Sequence, residues 1–90
     1  MILMWEIKKM KDELIEILGE VLELDEGCID AINNNTNLLD LGVDSLKAIE
    51  IVVMIEDKYG IMISDDDLIV DNFSTLEKIE KMVSTYALSV

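Results

Sequence analysis

Apolar residues recur every three or four positions along most of this chain, and that period commits it to helices. Ile7, Met10, Leu14, Leu18 and Val21 form one stripe, widened by Ile15 and Leu22. It predicts a first helix from about Trp5 to Leu22. At about 100° per residue, Ala48, Val52, Ile55 and Tyr59 share a face. They predict a second helix from Ser45 to Lys58 or Tyr59, stopped by Gly60. Leu76, Ile79, Val83 and Tyr86 make the last stripe, opened by a capping box of Ser74 and Glu77. After a short extended piece, Ile61-Met62-Ile63, Ser64 with Asp67 reads as another box opening a brief helix over about Asp65 to Asp71. The expected fold is all-α: one domain over residues 1–90, a small up-down four-helix bundle with three longer helices and one short one.

Leu24 to Val43 reads as a long loop after the first helix. Asp25, Gly27, Asn33-Asn34-Asn35 and Gly42 are turn formers, and a connection of this length tends to be functional. Ile29, Ile32, Leu38, Leu39 and Leu41 are spaced to pin it onto the helices. Cys28 reads as a small packed hydrophobe. Asn34-Asn35-Thr36 and Asn72-Phe73-Ser74 match the glycosylation sequon by chance, without a secretory signal.

Several functions are excluded by what is missing. The chain has no histidine, so it cannot build a Ser-His-Asp or Cys-His nucleophile. One cysteine and no histidine exclude an ordinary zinc site and an internal disulfide. All seven bases are lysines, so no guanidinium fork clamps a phosphate. The apolar runs Met1–Trp5 and Ile51–Ile55 are too short to span a bilayer, and the first meets Glu6 at once rather than forming a signal peptide. The expectation is a cytoplasmic protein. Twenty acids leave a net charge of −13, and Asp12 to Leu46 holds ten acids and no base. Such a surface argues against nucleic acid and membrane as partners and invites basic proteins. Asp65-Asp66-Asp67 with Asp71 lacks the alternation, central glycine and closing glutamate of a calcium loop.

One serine stands out. In Leu41-Gly42-Val43-Asp44-Ser45-Leu46 a hydroxyl sits where a loop becomes an apolar helix. The plainer reading is a helix start capped by Asp44 or Ser45. The functional reading is that free N–H groups at such a start favour an attached anion such as a phosphodiester. With no histidine in the chain to act as its base, this serine cannot activate itself, and another enzyme must do that chemistry.

The segment Thr36-Asn37-Leu38-Leu39-Asp40-Leu41-Gly42-Val43-Asp44-Ser45-Leu46 resembles the attachment segment of acyl carrier proteins. Glu50, Tyr59-Gly60-Ile61 and Phe73-Ser74-Thr75-Leu76 follow the same layout, and the resemblance covers about Leu14 to Val83. It implies a four-helix bundle in which Ser45, flanked by Asp44 and Leu46, carries 4′-phosphopantetheine. It also implies a transferase that moves the group from coenzyme A using magnesium, and an acyl group held as a thioester on the terminal thiol. Partners would be that phosphopantetheinyl transferase and acyl-transferring and chain-extending enzymes with basic docking patches, meeting a monomer. Lys47, Lys58, Val43 in place of a second glycine, and the N-terminal extension through Trp5 depart from parts of the family. They bear on the pathway, fatty acid or specialised polyketide, lipid or aminoacyl synthesis, rather than on the carrier role.

On the second helix Lys47, Met54 and Lys58 lie opposite the core face, with Glu50 and Asp57 beside them and Leu46 and Val53 on the border. Leu46, Lys47, Glu50, Val53, Met54 and Asp57 are the expected partner face: a small apolar contact ringed by steering charge. The competing readings are an unmodified acidic helical interaction module and a weak divalent-ion sensor.

Overall fold

Helix α1 spans Met4–Val21 and buries Met10, Leu14, Leu18 and Val21 of the predicted stripe, together with Ile17. The computed structural model describes the backbone of residues 4–87 and the side chains of residues 8–86. The Met1–Trp5 extension and the Ile7 end of the stripe therefore lie outside the described residues or side chains. The N–H of Leu24 reaches the Gly19 carbonyl at 3.0 Å and that of Glu23 the Glu20 carbonyl at 3.4 Å, the paired bonds of a Schellman end. Glu23 takes the left-handed position at φ +52°, where glycine is customary.

The connection from Leu24 to Val43 is not the unbroken loop its turn formers predict. It holds a six-residue helix, α2 (Glu26–Ala31), and a 3₁₀ turn at Leu38–Leu41. Asp25, read as a turn former, is an N-cap, and so is Asn37: their side chains accept from the N–H of Cys28 at 2.8 Å and of Leu39 at 3.0 Å. The apolar residues divide. Ile32 and Leu38 are buried, Ile29 and Leu41 half-buried, and Leu39 is exposed. Cys28, expected to pack, is exposed because α2 turns Ile29 and Ile32 inward and leaves its own position on the rim. Gly19 permits this docking: a Cβ there would sit 2.8 Å from Ile29 Cδ1.

Helix α3 (Ser45–Tyr59) buries Ala48, Ile51, Val52 and Ile55 and closes at Gly60, φ +64°. Its buried arc is wider than the predicted face because α1 and the later turn Val70–Phe73 pack on it from two sides. Met54 consequently does not face outward; it is half-buried beside α1. The predicted brief helix over Asp65 to Asp71 is instead two 3₁₀ turns, Asp65–Asp67 and Val70–Phe73. Ser64 Oγ accepts from Asp66 N–H rather than closing a box on Asp67. The Asp67 carboxylate is engaged from above, by the Tyr86 hydroxyl that donates to it. The last helix, α4 (Leu76–Ala87), is capped by Thr75, whose hydroxyl accepts from Lys78 N–H at 3.2 Å. Ser74, the predicted cap, is buried and donates to the Asp71 carbonyl at 2.7 Å.

The three longer helices and the short α2 form a small all-helical bundle. Phe73, Leu14, Leu18, Ile55, Ile79 and Val83 are fully buried at its centre. Two bonds fasten the long connection to the start of α4: Leu38 N–H to the Ser74 carbonyl at 2.8 Å and Glu77 N–H to the Asn34 carbonyl at 3.3 Å. The radius of gyration is 12.2 Å. No described helix is long and apolar enough to cross a membrane.

Candidate functional site

The residues before α3 hold Ser45 at a defined point. Leu38 is fully buried, and Val43, also buried, returns its N–H to the Leu38 carbonyl at 3.2 Å. Between them Gly42 turns the chain at φ +112°, a conformation that a side chain would strain. A Cβ there would have room, 3.8 Å from Leu22, so backbone conformation and not space calls for glycine. Asp44 is then extended, and its carboxylate accepts from Lys47 N–H at 2.8 Å. That resolves the choice of cap: Asp44 caps, and Ser45 is the first residue of α3.

Ser45 is exposed, and its hydroxyl takes no hydrogen bond from any described residue. The first N–H groups of a helix lack intrahelical acceptors. Asp44 uses that of Lys47, which leaves those of Ser45 and Leu46 without an acceptor among the described residues. Lys47 Nζ lies 3.5 Å from Glu50 Oε2 and is engaged there. Beside Ser45 opens a slot of about 110 Å³, walled by Ala48, Ile49 and Val52 of α3 and by Leu68, Val70 and Phe73. A hydroxyl free to be esterified, helix-start N–H groups for a phosphodiester, and an apolar slot for a slender chain fit a phosphopantetheine arm.

Of the predicted partner face, Leu46 is 64% and Val53 58% exposed. Glu50 and Asp57 are exposed beside them. Lys47 and Met54 are the half-buried members. Ile49, at 54% exposure, belongs to the same surface and was not among the predicted residues. Its signal was available: it lies one helical turn after Ser45, next to the core position Ala48. Leu68 and Ile69 are also exposed near the slot and carried no such signal, since their placement depends on the fold of the 3₁₀ turns. Among the described residues no cluster of acids converges as a metal site, Asp65-Asp66-Asp67 included.

The family model for a phosphopantetheine attachment site matches residues 12–83. An acyl carrier protein of Rhodococcus erythropolis is 37% identical over 60 residues, 64% of this chain and 66% of that protein. Polyketide-8 synthase acyl carrier protein 2 of Streptomyces avermitilis is 36% identical over 59 residues, 64% of each chain. The meromycolate extension acyl carrier protein of Mycolicibacterium smegmatis is 38% identical over 60 residues, 64% of this chain and 61% of that one. The matched stretch is thus a little under two thirds of each relative's length. The family match is broader, running from the third turn of α1 into α4 and enclosing every element that positions Ser45, and on it this chain belongs to the family of proteins that carry a phosphopantetheine attachment site.

Proposed function

We propose that this chain is an acyl carrier that bears 4′-phosphopantetheine on Ser45 and shuttles acyl groups in fatty acid or specialised polyketide or lipid synthesis. The observation that carries it is an exposed hydroxyl, without a hydrogen bond from any described residue, on the first residue of α3, at the mouth of an apolar slot. Ser45 Oγ attacks the phosphorus of coenzyme A's pyrophosphate that bears the arm; the P–O–P bond breaks, adenosine 3′,5′-bisphosphate leaves, and the serine proton passes to a base of the transferase, since this chain has no histidine to take it. Asp44 holds the helix start in place through its bond to Lys47 N–H. The N–H groups of Ser45 and Leu46 face the new negative charge. When bound, the arm offers a thiol that holds the acyl group as a thioester. The slot beside Ser45 shelters apolar portions of arm or cargo.

The chain itself does no catalysis in this reading. It raises the effective concentration of a tethered cargo at each enzyme it visits. The transferase and the acyl-handling enzymes meet Leu46, Ile49 and Val53 as the apolar contact. Glu50 and Asp57 steer their basic patches, with Lys47 and Met54 at the edge, and a net charge of −13 suits fast, brief encounters. The carrier works as a monomer in the cytoplasm. The named relatives include both polyketide and meromycolate carriers, which supports a specialised pathway as readily as primary synthesis.

Intact-mass measurement after incubation with coenzyme A, magnesium and a phosphopantetheinyl transferase tests the reading. The expected result is one arm per chain, mapped by peptide sequencing to Ser45, and none on a folded Ser45→Ala variant. An arm on another residue, or none with an active transferase, would overturn it.

A further inference from the structure

Four glutamates of α1 and its end, Glu13, Glu16, Glu20 and Glu23, are spaced three, four and three apart, which sets them along one side of the helix. That side borders α3. Two adjoining hollows run between the helices, one of about 490 Å³ from Glu23 to Val53 and one of about 290 Å³ from Glu13 to Asp57. They share Glu20 and Met54 and so make one groove. Its floor is apolar, with Ile17, Val21, Val53 and Met54. Its second rim carries Glu50 and Asp57. The two lysines on the rims are already engaged, Lys58 with Glu13 and Lys47 with Glu50, each at 3.5 Å. Glu16, Glu20, Glu23 and Asp57 have no ion pair or hydrogen bond from another described side chain.

We infer that this groove seats a lysine- or arginine-rich amphipathic helix of a partner protein. Two helices with an apolar valley between them offer the seat that a third helix fills. From Glu13 to the helix end at Val21 the rim is about 12 Å long at the helical rise, room for about two turns, and Glu23 extends it past the end. Acids on both sides match a helix with basic flanks and an apolar stripe, and the unengaged carboxylates lack any cation of their own. The inference rests on the partner-face reading of α3 and extends that face across to α1.

The test uses the isotope-labelled full chain without the arm and a synthetic peptide of about fourteen residues, leucines along one face and lysines along both flanks. A scrambled peptide of equal composition is the control. Chemical-shift changes should cluster on residues 13–23 and 49–57 with the amphipathic peptide only. Glu16→Lys with Glu20→Lys should weaken binding at least tenfold at low salt. The exposed positions leave the fold intact, which circular dichroism checks, and Glu16→Gln with Glu20→Gln gives a milder second variant. Glu23→Gly should weaken the peptide while raising the melting temperature, because it relieves the backbone as it removes the charge. Equal binding of both peptides, or shifts scattered over the acidic surface, overturns the groove. If Glu50→Lys with Asp57→Lys weakens binding and neither α1 pair does, the α3 face stands and the groove falls. If no pair matters, both fall.

Discussion

Replacing Asp44 separates its two services to α3. Its carboxylate accepts one bond, from Lys47 N–H at 2.8 Å, and its charge sits at the positive end of the helix. Asp44→Ala removes both. Loss of a cap costs about 1 kcal/mol, and loss of the favourable charge at an exposed helix start about 0.3–1 kcal/mol more. Asp44→Asn keeps an acceptor and loses only the charge. Either change brings the net charge from −13 to −12, so relief of self-repulsion favours both equally and drops out of the comparison. The alanine variant should therefore melt below the asparagine variant by the cap alone, about 4–8 °C per kcal/mol in a domain of this size. Thermal unfolding followed by circular dichroism, at one salt concentration, gives the difference. Loading of Ser45 by the transferase gives a second readout. If Asp44 only holds the helix start, asparagine should load nearly as fast as wild type. If the transferase reads the charge, asparagine should load slowly while staying nearly as stable. Equal melting temperatures for alanine and asparagine would refute the assignment of Asp44 as the cap.

The net charge of −13 predicts a melting temperature that rises from low to moderate salt as the Debye length falls to about 10 Å at 0.1 M; an unchanged midpoint would refute self-repulsion as a cost of folding. The Asp25 carboxylate beside Cys28 pushes the thiol above its ordinary range, so alkylation at pH 8 should be slower than for a free cysteine and should speed up in Asp25→Asn; no difference would remove that influence. Burial, then the bond to Glu13, pushes the Tyr59 hydroxyl up. Its stabilisation is therefore complete below the unfolded value of about 10 and is lost as pH rises above it; Tyr59→Phe should cost about 1 kcal/mol at neutral pH and flatten the alkaline limb of stability against pH. Gly19→Ala gains about 1 kcal/mol of helix propensity but drives its Cβ to 2.8 Å from Ile29 Cδ1. With Ile29→Val the gain should emerge, and a double-mutant cycle that is additive within about 0.3 kcal/mol would show that the contact is not restrictive.

Much of the site was legible from local chemistry. A glycine, an acid and a serine at the head of a strongly periodic apolar run specify a turn, a cap and a helix start within a few residues, and no distant contact is needed to place Ser45. The same holds for the stripes of α1 and α4 and for the stop at Gly60, since helical period and a left-handed terminus are properties of the chain itself. The N-caps were harder, because several polar residues compete at each start. Ser74 lost to Thr75 when its own burial turned its hydroxyl to the Asp71 carbonyl.

Where a helix face meets its neighbours is a tertiary matter, and there the sequence was silent or misleading. Met54 lies about 120° from Ala48 on a helical wheel, outside the predicted core face, yet α1 comes alongside and half-covers it. Glu13 to Glu23 read as a solvated acidic surface until the packing of α1 on α3 set them over an apolar valley. Helix α2 is too short to announce itself by period; it exists because Asp25 caps it and Gly19 lets Ile29 settle on α1. The slot beside Ser45 is closed on its far side by Leu68, Val70 and Phe73, residues some twenty-five positions away. Period and caps act over one or two turns, so the chain carries them in its order of residues. A groove or a slot is the space left between elements, and only their packing determines it.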